Sequence, residues 1–186
     1  ICLLSRQLID GVNLVGVAKP CLKKLCDISQ ETVHLVLREG NYTVYLHREE
    51  CFNSPIRVIS NVGLYRALHT TAVGKSIMAT MSDDEIADYW RRIDKTKVTP
   101  NTIDELSVLL RDIAEARLRG FAIDNEENTL GVRCIAVALV DYTGSHNAAI
   151  SISGYKDRMD DKRMQELKPA IFSARDTIMT GMGYVK

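Results

Sequence analysis

The sequence has no surplus of positive charge: Lys+Arg and Asp+Glu number 24 each, and the sequence pI is near 7.1. A dedicated nucleic-acid binder needs basic groups to neutralise phosphates and release counterions, so the chain alone does not read as one. Short basic pairs such as Lys23-Lys24 and Arg91-Arg92 read as solvated helix faces. No apolar run is long enough to span a bilayer. The first residues lack the basic start and small-residue cleavage pattern of a signal peptide. No membrane partner is expected, and the expected location is the cytoplasm. No internal repeat, low-complexity tract or Pro/Gly/Ser linker divides the 186 residues, so one domain is the simplest count. The five cysteines (Cys2, Cys21, Cys26, Cys51 and Cys134) are odd in number and show no disulfide-framework spacing. That favours free thiols in a reducing compartment. Cys21 and Cys26 have no second Cys/His pair nearby, so no zinc site and no metal is expected. The chain begins at Ile1, and the expectation is a fragment of something longer.

What is present is an ordinary globular composition. Hydrophobic residues make up 46% and charged residues 26%, which excludes a disordered or fibrous chain. The first 30 or so residues read as helix in two pieces. Leu3, Leu4 and Leu8 form one stripe; Leu14, Val15, Val17, Ala18, Leu22, Leu25 and Ile28 form a second, with Gly11 between them and Pro20 inside the second. The period then changes to two. Val33, Leu35 and Leu37 alternate with His34, Val36 and Arg38; a Gly40-Asn41 turn follows, then Val44 and Leu46 alternate with Tyr45 and His47. A third strand is expected over Ile56 to Ser60. Helical signals return from Thr70-Thr71 to Met78, and again after Ser82 or Asp83. Thr102 to Glu105 has capping-box spacing ahead of Ile103, Leu106, Leu110 and Ile113, and Gly120 is placed to stop that helix. Strands are expected over Cys134 to Val140 and Ala148 to Ser153, and a last helix from Asp160 to Met179. Local hairpins and segregated helices indicate α+β with an antiparallel sheet.

Two segments have the chemistry of a pocket. In Leu68-His69-Thr70-Thr71-Ala72-Val73-Gly74-Lys75-Ser76, a Thr cap would leave the N–H groups of residues 72 to 74 pointing out of the first helical turn, where a carboxylate or phosphate is attracted. The plainer reading is a capped helix packed on a sheet. The glycine spacing of a nucleotide-binding phosphate loop is absent. In the second segment, Asp124-Asn125-Glu126-Glu127 precedes Leu130-Gly131-Val132-Arg133-Cys134-Ile135-Ala136-Val137, and Ala148-Ala149-Ile150-Ser151-Ile152-Ser153-Gly154 follows. Strand alternation puts Ile150 and Ile152 on one face and Ala149, Ser151 and Ser153 on the other. On spacing alone that second face is more simply the solvated side of the sheet than a cavity floor. By the same token Asn125-Glu126-Glu127 reads as a solvated turn, and Cys134 as a small buried hydrophobe.

Taken together, these segments resemble the effector-binding domain of IclR-type transcription regulators. Leu68 to Lys75 resembles that family's (S/T)-(A/G)-x-G-K element. Asp124 to Glu127 with Leu130 to Val137 resembles D-x-E-E…G-x-R-C-(I/V)-A, and Ala148 to Gly154 resembles A-I-S-(I/V)-S-G. Thr32-Val33-His34-Leu35 also fits, so the resemblance covers nearly the whole chain. It implies a curved antiparallel sheet flanked by helices, GAF/profilin-like, with residues 1–10 as the end of a linking helix and 11–186 as the effector-binding domain. An N-terminal winged helix-turn-helix, absent from this chain, would carry all contact with DNA. The resemblance further implies a small-organic-acid effector, self-association as dimer or tetramer, no cofactor and no catalysis. Carried over by position, the effector site is Thr71, Ala72, Val73, Asp124, Cys134, Ser151 and Ser153. Ala138 and Tyr155 stand where many members have proline, and Val73 is bulkier than the alanine of some members. No Arg or Lys falls among these positions. The rival readings are a ligand-free oligomerisation domain, a GAF-like thiol enzyme using Cys134, and a metal site built from Cys134, Asp124 and a histidine. No sequence pattern ties His34, His47, His69 or His146 to Cys134, and a reactive thiol needs such a partner.

Overall fold

A computed structural model describes residues 2–51, 62–141 and 143–184, with the side chains of the first helix described from Leu14 onward. The strand expected over Ile56 to Ser60 lies outside the described residues. The chain opens with one helix, α1 (Cys2–Ser29), where the sequence predicts two. Pro20 lacks the N–H for one backbone bond. Its helix continues because Leu14, Ala18, Leu22 and Leu25 form one buried stripe that packing holds in place.

The hairpin follows as expected: β1 (Thr32–Glu39) and β2 (Tyr42–Glu49) are joined through Gly40, whose φ of +60° suits glycine. A short strand, β3 (Tyr65–Ala67), leads through a single 3-10 turn at Leu68–Thr70 into α2 (Ala72–Met78). Next come α3 (Asp83–Arg92) and α4 (Leu106–Arg119). The remaining elements are β4 (Ala122–Asn125), β5 (Val132–Leu139), β6 (Ala148–Tyr155) and α5 (Asp161–Gly181).

Caps explain most helix starts. Ser82 and Glu85 form a reciprocal capping box on α3, and Asp160 accepts from the Arg163 N–H on α5. Gly120, at φ +83°, ends α4. The capping box expected at Thr102 is absent, since α4 begins after Glu105 without a side-chain cap. Thr102 Oγ1 is engaged elsewhere: it accepts from the Val98 and Thr99 N–H groups and donates to the Glu127 carbonyl at 2.7 Å.

The strands form one curled antiparallel sheet in the order β3-β2-β1-β6-β5-β4. α1 and α5 cover one face, over Val33, Leu35, Ile135, Val137, Ile150 and Ile152. α2 covers part of the other face, against Val36, Cys134, Ala136 and Ala149. α3 and α4 pack beside it around Leu68, Met78, Ile86, Trp90 and Ile113. β1 and β6 are central strands buried on both faces, which decides the position of the site. On the side under α2, the polar residues His34 of β1 and Ser151 and Ser153 of β6 are almost wholly buried.

Candidate ligand-binding site

Ser151 and Ser153 are each only 3% exposed, so the spacing-based reading of their face as solvated is incorrect. α2 lies over that face, and the alternation that sends Ile150 and Ile152 into the main core sends these hydroxyls beneath it. Strand register lines up the neighbours. Asp124 pairs with Cys134 and Cys134 with Ser153, while Ser151 pairs with His34. The carboxyl, thiol, hydroxyls and imidazole therefore share one side of the sheet.

These side chains line a cavity of about 450 Å³ between the sheet and the start of α2. All seven residues singled out from the sequence (Thr71, Ala72, Val73, Asp124, Cys134, Ser151 and Ser153) border it. His34, Tyr45 and Arg66 border it as well, and sequence reasoning missed them. The alternation of β1 and β2 placed His34 and Tyr45 opposite core positions but did not reveal that this side faced a ligand-sized space. Arg66 supplies the cation that the motif positions lack.

Burial sets the charge state of the walls. The His34 imidazole is lowered to about 3 by desolvation, with Arg48 adding to the effect, so it is neutral at physiological pH. Its Nδ1 stands 3.3 Å from Ser153 Oγ and 3.4 Å from Ser151 Oγ, and its ring meets Tyr45 edge-on at 5.2 Å. Desolvation, then the neighbouring Glu127, pushes the Asp124 carboxyl up to about 7. Asp124 Oδ1 accepts the Glu127 N–H at 2.8 Å. Burial and Asp124 hold the Cys134 thiol well above its ordinary range, which disfavours thiolate.

The start of α2 is more occupied than the sequence predicts. Thr71 Oγ1 accepts the Gly74 N–H at 3.1 Å, so that donor is not free for a ligand. Gly74 is required for a separate reason: a Cβ there would fall on the Leu68 carbonyl and backbone.

Behind the cavity, Lys75 is fully buried between Asp112 Oδ2 at 2.7 Å and Glu127 Oε2 at 2.5 Å. Burial alone would lower the ammonium's pKa, but Glu127 and Asp112 outweigh it and the net shift is upward. Glu127 was expected in a solvated turn; it is 7% exposed and is drawn inward by Lys75. The expected cap residue Thr102 holds its backbone carbonyl. The lysine of the first motif and the second glutamate of the other are thus bonded partners that tie α2 to the segment after β4. Among the described residues no group of three or more His, Cys, Asp or Glu side chains is arranged to hold a metal ion.

The same fold recurs in known proteins. The family described as "Bacterial transcriptional regulator IclR C-terminal" matches residues 6–180. The HTH-type transcriptional repressor AllR of Klebsiella pneumoniae is 34% identical over 175 residues, covering 94% of this chain and 64% of that protein. The chain thus spans a little under two thirds of such relatives. The crystal structure of Thermotoga maritima IclR superposes with a TM-score of 0.87 at 34% identity, over 92% of this chain and 69% of that one. The crystal structure of the C-terminal domain of the Escherichia coli transcriptional regulator KdgR gives 0.82 at 30% identity, over 92% and 99%. Sheet, helices and cavity together define the C-terminal effector-binding domain of a bacterial transcription regulator. The chain belongs to the IclR family.

Proposed function

We propose that the cavity under α2 binds a small hydroxy-, keto- or sugar-derived carboxylic acid. Binding would shift the domain between conformers and so reposition DNA-binding domains carried elsewhere in a longer protein. In this reading residues 1–10 end a linking helix, the remainder senses the effector, and the protein assembles as a dimer or tetramer. DNA is contacted only through an N-terminal winged helix-turn-helix.

One observation carries the reading. Polar groups from all six strands converge on one partly apolar cavity whose volume falls in the range of small-molecule sites. Hydroxyls from Ser151, Ser153 and Tyr45 can donate and accept, and Asp124 can accept from a ligand hydroxyl. A purely structural oligomerisation domain would fill such a space with side chains, as protein interiors are filled. Thiol catalysis is disfavoured by the same burial that protects Cys134.

The test is a thermal-shift screen of this domain against hydroxy, keto, sugar and aromatic acids, beside Asp124→Ala and Ser151→Ala. A ligand at a hundred times its dissociation constant adds about 2.7 kcal/mol of stability, a readily measured rise in melting temperature. A selective rise lost in both variants supports the reading. Tight binding confined to neutral aromatics overturns the ligand class.

A further inference from the structure

The basic and the acidic residue of the cavity wall stand at opposite ends of the sheet. Arg66 belongs to β3 and Asp124 to β4, the two edge strands. Five interstrand steps separate them, roughly 24 Å if the sheet were flat. The curl shortens this span enough for one cavity to touch both. Tyr45 lies within electrostatic reach of each: burial raises its phenol most, Cys134 and Asp124 raise it further, and Arg66 opposes them. The other polar side chains that line the cavity are neutral, among them the Tyr45 and serine hydroxyls, the His34 imidazole and the Cys134 thiol.

The site is therefore polarised along its length, with a cation at the β3 end and a hydrogen-bond acceptor at the β4 end. A guanidinium is the side chain best shaped to take a carboxylate through two parallel hydrogen bonds. At the start of the seven-residue α2, Thr71 already takes the Gly74 N–H, which leaves one donor fewer there for an anion.

We propose that Arg66 anchors the effector carboxylate and Asp124 accepts from a hydroxyl at the far end, so that the cavity selects an elongated polyhydroxy monocarboxylate over a two-carbon acid. This rests on the organic-acid reading above and narrows its ligand class. Arg66 is half-buried at the cavity wall, and its Nη1 donates to the Tyr65 carbonyl at 3.0 Å in a solvent-exposed bond, which places the guanidinium at the rim.

The experiment is calorimetric titration of wild type, Arg66→Gln, Arg66→Lys and Ser151→Ala with three probes: D-gluconate, glycolate and D-sorbitol. Unliganded melting temperatures serve as the folding control. In wild type, gluconate binds at least about tenfold more tightly than glycolate or sorbitol, the scale of one charge-assisted hydrogen bond. Arg66→Gln weakens gluconate by about tenfold or more and leaves sorbitol unchanged, while Arg66→Lys recovers part of the loss. If gluconate affinity survives Arg66→Gln but is lost in Ser151→Ala, Arg66 is not the anchor and the organic-acid reading stands without it. If glycolate binds wild type as tightly as gluconate, the demand for an elongated ligand is overturned. If a folded wild type binds neither acid, this inference falls; failure of the broader acid panel as well would then remove the reading on which it rests.

Discussion

Lys75 Nζ lies 2.5 Å from Glu127 Oε2 in the interior, although the two residues belong to different segments of the chain. With Asp112 at 2.7 Å, the ammonium is shared by two carboxylates and none of its surface reaches water. Removing one member of such a cluster leaves an uncompensated buried charge, at a cost of about 3–5 kcal/mol. Lys75→Met is expected to lower unfolding free energy by that amount in urea titrations. Glu127→Gln should cost less, because Asp112 still faces the lysine. In the double variant the two effects should sum to less than their separate values, since each removes the other's reason for being charged. Additive effects would mean that the pair is not coupled.

The pH dependence of stability should carry two opposed contributions. Asp124 rises from an ordinary 3.8 to about 7 on folding, first through desolvation and then through Glu127. The folded state binds the extra proton, so this contribution is full below pH 3.8 and is lost as pH climbs through 7. His34 falls from 6.5 to about 3 through desolvation, with Arg48 adding. The unfolded state binds that proton, so stability from His34 is present above 6.5 and is lost as pH falls toward 3. Between about pH 4 and 6.5 the slopes oppose each other. Asp124→Asn should make stability rise more steeply with pH there, and His34→Gln should make it fall. Denaturant midpoints at half-unit pH steps would check this; slopes changing in the same direction would contradict one of the two assignments, and both changing opposite to expectation would contradict both.

How much of this was legible in the sequence depended on how local the determining contact was. The Thr71 cap, the Gly120 stop and the two faces of β6 are properties of a few consecutive residues, and they are where the spacing put them. The solvated reading of Ser151 and Glu127 was wrong for one reason. A polar residue's environment is set by what lies above it, here α2 and Lys75, which come from another part of the chain. Thr102 has the right spacing for a cap, but spacing does not reveal that the Glu127 carbonyl competes for its hydroxyl. Arg66 was invisible because no motif holds it. It reaches the site only through the order in which the strands assemble.

The two motif glycines should differ in tolerance. A Cβ on Gly74 meets the Leu68 backbone, which cannot move without shifting the 3-10 turn that starts α2. At Gly154 it meets the Glu31 carboxylate at 2.5 Å and Met159 Cγ at 2.9 Å, both side-chain atoms. Gly154→Ala is therefore expected to cost about 1–3 kcal/mol, the ordinary scale of overpacking. Gly74→Ala should exceed it and also weaken ligand binding, because Ala72 and Val73 line the cavity. Equal losses in thermal melts would show that the turn before α2 yields more readily than its contacts imply.

Cys134 provides a direct chemical probe of the cavity. Its thiol is held protonated by burial and by the Asp124 carboxyl, and alkylation proceeds through thiolate. Cys51 is partly exposed, with its Sγ 3.2 Å from Gln30 Oε1 near the protein surface. At pH 8 iodoacetamide should label Cys51 well before Cys134, as followed by peptide mass mapping. A bound acid would cover the thiol as well as occupy the space, so a saturating ligand should slow Cys134 further and leave Cys51 unchanged. Asp124→Asn should act in the opposite direction: removing the carboxylate lowers the cost of forming thiolate, and Cys134 labelling should accelerate with pH. If Cys134 reacted as fast as Cys51 in the wild-type domain, the thiol would be neither buried nor suppressed, and thiol chemistry would again rival ligand sensing.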